Sequence, residues 1–125
     1  MIVLTVDEVI ALQEKLIAQT GGSQGLRDRG LLESALYSAH SAFGDQEQYP
    51  TVEEKAARLL YALVRNHAFV DGNKRIGVLI MLLTLRLNGI PFSCSQDALV
   101  QIALDVADGK ADYAAVLAWI RSQKN

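Results

Sequence analysis

The chain carries a single cysteine, Cys94, in 125 residues, so no intrachain disulfide braces it and a reducing compartment is the simpler expectation. It also lacks any surplus of positive charge. Twelve Lys and Arg against 14 Asp and Glu give a formal charge of -2 and a pI near 5.6, which excludes a global field for a nucleic-acid backbone or an anionic membrane. Any phosphate binding has to be local. Long apolar runs are missing too: Ile76 to Leu83 is interrupted by Gly77 and ends at Thr84, far short of the roughly 20 residues of a membrane span. The N-terminal MIVLTVDEVIALQEK has acidic residues where a secretion signal would be basic, and no small-residue cleavage site. A cytoplasmic protein with no direct nucleic-acid or membrane contact is expected. Strict alternation of apolar and polar residues is confined to possible short pieces at Ile2 to Leu4 and within Ser41 to Pro50, which leaves little material for a sheet.

What is present is helical periodicity. Half of the residues are apolar and 21% are charged, enough for one core, so a single domain over residues 1–125 is expected. Thr5 with Glu8 forms a capping box ahead of Val6, Val9, Ile10, Leu16 and Ile17, and Gly21-Gly22 stops that run. A second helix starts near Asp28 and buries Leu32, Ala35, Leu36 and Ala39. SAFGDQEQYP, Ser41 to Pro50, reads as a loop or short hairpin. Thr51 with Glu54 is a second capping box, followed by Val52, Ala56, Leu59, Leu60 and Leu63 at helical spacing up to Asn66. Residues 73–88 are almost wholly apolar, with Gly89 and Pro91 as stops, so this helix belongs in the middle of the fold. Two shorter helices, lined by Leu99, Ile102, Ala103 and Val106 and by Tyr113, Val116, Leu117 and Ile120, complete an all-α bundle of about six helices.

The chemistry concentrates in HAFVDGNKR, His67 to Arg75, at the joint before the central helix. A helix start presents unpaired N–H groups at a positive dipole end, which is an anion site by geometry. Gly72 permits close approach of a ligand, while Lys74 and Arg75 supply a point charge and a planar fork for phosphate oxygens. Asp71 would oppose an anion, and a divalent cation such as Mg²⁺, shared between one carboxylate and substrate phosphates, resolves the conflict. His67 is the candidate base that takes a proton from an attacking hydroxyl. Phe69 is the candidate plug that anchors the loop in the core. Other readings stand beside these: Asp71 as the N-cap of the next helix, Lys74 and Arg75 as solvated charges, His67 as a donor to the carbonyls of the preceding helix. Two cations at a helix start nonetheless oppose the dipole, and such broken rules concentrate at functional sites.

These nine residues resemble the signature of the Fic/Doc superfamily, H-x-F-x-[D/E]-G-N with a basic continuation, and look most like its Doc (death-on-curing) branch from toxin–antitoxin systems. His67, Phe69, Asp71, Gly72, Asn73 and Arg75 match; Lys74 stands where adenylylating members usually carry a second glycine, and Val78 stands where those members carry a further arginine. GLRDRGLLESAL at Gly25 to Leu36 and EKAARLLYALVRNHAF at Glu54 to Phe69 extend the similarity over most of the chain. The resemblance implies a kinase toxin using ATP and Mg²⁺: His67 as base toward a serine or threonine hydroxyl, Asp71 on the metal, and Gly72, Asn73, Lys74 and Arg75 on phosphates. It implies a protein target in translation, elongation factor Tu first. It also implies an antitoxin whose disordered segment folds as a helix into a groove, since no glutamate here is followed by Gly or Asn as in the self-inhibitory helix of Fic enzymes. Ser41 to Pro50 would correspond to the flap that aligns a target peptide. Adenylyl transfer and a non-catalytic antitoxin-binding module are the alternatives. Arg27, Asp28 and Glu33 read as structural, with Asp28 a cap, and His40 as a helix-end residue.

Overall fold

In the computed structural model, which describes residues 1–123, six helices and one small hairpin follow in the order α1 (Val6–Thr20), α2 (Arg29–Ser38), β1 (Ala42–Phe43), β2 (Gln46–Glu47), α3 (Val52–Asn66), α4 (Asn73–Leu87), α5 (Gln96–Ala107) and α6 (Tyr113–Gln123). The fold is all-α, as expected. Side-chain caps set most of the starts. Thr5 and Thr51 each close a reciprocal box with Glu8 and Glu54, Asp28 accepts from the Leu31 N–H at 3.0 Å, and Ser95 accepts from the Ala98 N–H at 3.1 Å.

α3 and α4 form the most extensively packed pair and divide the interior in two. Toward one side, Leu59 and Leu63 of α3 with Ile76 and Ile80 of α4 meet Val9 of α1 and Leu32 of α2. Toward the other, Leu60 and Val64 with Met81 and Leu85 meet Ile102 and Val106 of α5 and Val116 and Ile120 of α6. Gly77 explains the closeness of the central pair: a Cβ there would stand 2.9 Å from Val64 Cγ2, so only glycine lets the two helices approach this far. α4 is less enclosed than an all-apolar helix suggests. Ile76, Ile80, Met81 and Leu85 are buried, but Val78, Leu79 and Leu82 are half-exposed along a groove that α4 shares with α1 and α5.

Ser41 to Pro50 takes the hairpin form, Ala42 pairing with Glu47 and Phe43 with Gln46. It is tied to α3 by Lys55, whose buried ammonium meets Glu47 Oε1 at 3.0 Å and the Tyr49 carbonyl. Phe43 stands 92% exposed at its tip. Asp28 caps α2, Arg29 pairs with Glu33 at 3.0 Å, and His40 lies just past the end of α2.

Candidate active site

The joint between α3 and α4 is a sharp reversal. His67 ends α3 in the left-handed conformation, φ 50° and ψ 49°, and is the one non-glycine residue with positive φ among the described residues. That conformation costs an L-residue roughly 1–2 kcal/mol, and glycine is the usual occupant after a helix C-terminus. The His67 imidazole stands exposed to solvent.

Beyond the turn the chain runs antiparallel to the end of the α1–α2 connection. The Ala68 carbonyl accepts from the N–H groups of Arg27 at 2.8 Å and Asp28 at 3.0 Å, and the Val70 N–H donates to the Gly25 carbonyl at 3.0 Å. Leu26 and Phe69 face each other as a bridge pair. Phe69 is 2% exposed and packs in the α1–α2 half of the core, where burial of such a ring contributes about 2–3 kcal/mol. Ala68 is buried with it, whereas Val70 is turned outward.

Asn73 is placed differently from the expectation of a phosphate ligand. Its side chain folds back into the loop, Oδ1 accepting from the Phe69 N–H at 3.0 Å and Nδ2 donating to the Phe69 carbonyl at 3.0 Å. The amide thus closes the loop on itself, and only the backbone N–H of Asn73 remains at the helix start. The N-cap of α4 is Gly72, at φ 75°, and no side chain caps this helix. Asp71 is therefore not the cap either: Oδ1 accepts from the adjacent Gly72 N–H at 2.7 Å and Oδ2 from the Ser23 N–H at 3.1 Å. These two N–H groups, Ser23 first, hold the Asp71 carboxyl below its ordinary value, with Arg75 and Lys74 adding to the effect. The Arg75 guanidinium lies 3.6 Å from Asp71 Oδ1 and donates to Thr20 Oγ1 at 2.5 Å and to the Gly21 carbonyl at 2.7 Å. Lys74 is exposed.

Four residues outside the joint build it, and helical periodicity marks one of them, Gln13. Arg27 donates from Nε at 2.8 Å and Nη2 at 2.5 Å to the His67 carbonyl. Gln13, 1% exposed on the inner face of α1, donates to the Asp71 carbonyl at 3.2 Å. Ser23 holds the Asp71 carboxylate, and Gly22 makes room for it, since a Cβ there would come within 2.5 Å of Asp71 Oδ2. For Gln13 a sequence signal exists: it sits four residues from both Val9 and Ile17, in the middle of a buried stripe.

Along the joint stand an exposed imidazole, an ionised and half-exposed carboxylate, an ammonium and a helix N-terminus whose first-turn amides have no side-chain partner. The donor set fits phosphates: backbone amides at a positive dipole end, with two cations beside them. It also fits a hard divalent ion bound together with those phosphates. Asp71 is anionic and takes one N–H on each oxygen, which leaves lone pairs free, and among the described residues no cage of three His, Cys, Asp or Glu side chains competes for such an ion.

A helical core around this loop defines a member of the Fic/DOC family, and the chain belongs to it: the family model matches residues 3–85, which include the whole joint. Within the family it sides with the Doc branch. It is 30% identical over 115 residues to the protein kinase doc of Escherichia phage P1, a match spanning 92% of this chain and 90% of that protein. It is 39% identical over 77 residues to the toxin Doc of Mycolicibacterium smegmatis, where the match spans 62% of this chain and 59% of that protein's length.

Proposed function

We propose that the chain is a cytoplasmic Doc-type toxin that transfers the γ-phosphate of ATP to a serine or threonine hydroxyl of a protein, elongation factor Tu being the first target to examine, and so arrests growth. The observation that carries this reading is the start of α4: a helix left without a side-chain cap, flanked by Lys74 and Arg75, one short loop after a left-handed, solvent-facing His67. The kinship with a protein kinase doc favours the γ-phosphate.

In this mechanism the amides of Gly72's successors in α4 and the Lys74 ammonium bind the terminal phosphates and stabilise the charge that gathers on them in the transition state. Asp71 would hold Mg²⁺, which supplies charge neutralisation between phosphate oxygens when bound. Arg75 acts on both sides of the site, near Asp71 and on the α1 terminus, and so keeps the carboxylate in place. His67 takes the proton from the attacking hydroxyl; the new O–P bond forms at the γ-phosphorus as its bond to the bridging oxygen breaks, and ADP departs. The hairpin, with its exposed Phe43, offers a strand edge on which a target segment could be aligned.

The partner in this reading is an antitoxin segment seated as a helix in the groove between α1, α4 and α5. That groove, about 370 Å³, is lined by apolar residues such as Leu79, Leu82, Val100 and Leu104 and ends at Lys74 and Arg75, so an amphipathic helix with an acidic residue at that end fits it. The deciding experiment incubates the purified chain with ATP labelled at either the α- or the γ-phosphate and with a cell lysate or elongation factor Tu. Label transferred from the γ-position alone is expected. Transfer from the α-position would establish adenylyl transfer instead, and no transfer from either would favour a non-catalytic module. Asp71→Ala and Lys74→Gly should each lower transfer at least tenfold; full turnover in both would remove their roles.

A further inference from the structure

We infer that Arg27 is a positioning residue for this reaction, its guanidinium fork holding the backbone of His67 in the left-handed turn that aims the imidazole outward; this rests on the kinase reading above. Four observations converge. His67 is in a conformation that is costly for an L-residue, φ 50° and ψ 49°. Its carbonyl accepts two hydrogen bonds from one guanidinium, Nε at 2.8 Å and Nη2 at 2.5 Å. Nη2 also reaches the Asn66 carbonyl at 3.5 Å, so the same group spans the last residue of α3 and its cap. The backbone that carries the fork is fixed, because the Arg27 N–H is bonded to the Ala68 carbonyl at 2.8 Å and the next residue, Asp28, is locked as the cap of α2.

Charge-assisted bonds to a carbonyl are about twice as strong as neutral ones, enough to offset the cost of the turn. A helix C-terminus is also the negative end of the dipole, where a guanidinium is favoured. Without the fork, nothing else bonds the His67 carbonyl among the described hydrogen bonds, and the residue can relax toward ordinary helical or extended angles. The imidazole would swing with it. A displacement of about 1 Å is worth up to about a hundredfold in rate, so Arg27 acts on the chemical step without touching the substrate. Lysine cannot replace it, because a single ammonium does not present two parallel N–H donors.

The test compares the parent chain with Arg27→Ala and Arg27→Lys, reading kcat and KM for ATP in phosphoryl transfer and the backbone φ of residue 67 from NMR couplings. We expect kcat to fall about 10- to 100-fold in both variants, KM for ATP to stay within about twofold, and His67 to lose positive φ. Full rate in Arg27→Lys, loss expressed in KM alone, or a left-handed His67 retained in Arg27→Ala would each overturn the assignment. If the parent transfers no phosphate, the kinase reading fails, and the NMR result still decides whether Arg27 sets the turn.

Discussion

α3 and α4 are both 15 residues long and pack against each other, yet they begin in opposite ways. At the start of α3, Thr51 Oγ1 accepts from the Glu54 N–H at 3.1 Å, Glu54 reaches back to the Thr51 N–H, and Glu53 and Glu54 place negative charge on the positive dipole end. Every local rule is obeyed, and the terminus is satisfied from within. α4 starts at a left-handed glycine, with no capping side chain, no acid in its first turn and two cations there. A missing cap costs about 1 kcal/mol and each misplaced charge about 0.3–1 kcal/mol, so α4 forgoes stabilisation that α3 collects. Under the proposed function, an anion from outside would complete the second terminus as Thr51 and Glu54 complete the first.

The contrast is broken most severely through His67. Replacing it with alanine should lower phosphoryl transfer by about 10² to 10⁴, the usual worth of a general base. His67→Gly should do the same while raising stability by about 1 kcal/mol in urea unfolding, since glycine suits the left-handed turn. If His67→Gly instead destabilises the chain, the imidazole is held for structure and not for chemistry. Next in size is charge reversal at the two helix starts. Lys74→Glu should abolish ATP binding in calorimetry yet leave the fold intact or up to about 0.5 kcal/mol more stable, whereas Glu54→Lys should cost about 1–2 kcal/mol and leave transfer unchanged. Equal stability losses in the two variants would mean that both termini serve the fold alone.

The same contrast explains what the amino-acid order revealed. Capping boxes span only four residues, so the starts of α1 and α3 are legible in Thr5 with Glu8 and Thr51 with Glu54. The joint was legible because its broken rule, Lys74 and Arg75 at a helix start, is equally local. What supports the joint comes from far away. Arg27 lies 40 positions from His67, and Gln13 lies 58 from Asp71, and only the packing of α1 and α2 on the central pair brings them together. Asn73 shows a second limit. Its place in the signature suggested a ligand, but an amide has donor and acceptor on one side chain, and here both satisfy the N–H and C=O of buried Phe69. The exposed side of α4 was hidden for a related reason: apolar residues such as Val78 and Leu82 look the same in a core and in a groove.

The smallest effect separates a carboxylate that serves its own helix from one that serves the site. Glu8 is held below its ordinary value by the Thr5 N–H and hydroxyl, within one helix start. Asp71 is held low chiefly by Ser23, from a different segment, and then by Gly72. In both, the folded state favours the charged form, so the stabilisation is present above the unfolded value, near pH 4, and is lost as pH falls through the folded one. Glu8→Gln should flatten the acid side of the stability curve without disturbing Ser23. Asp71→Asn should flatten it as well, and in the parent chain the Ser23 amide resonance should move with a midpoint below 3.8, as protonation of Asp71 loosens the Gly21–Gly25 loop over α4. A Ser23 amide indifferent to acid would show that the loop is held without the carboxylate, and the kinship between Asp71 and a capping glutamate would then be closer than the open helix start suggests.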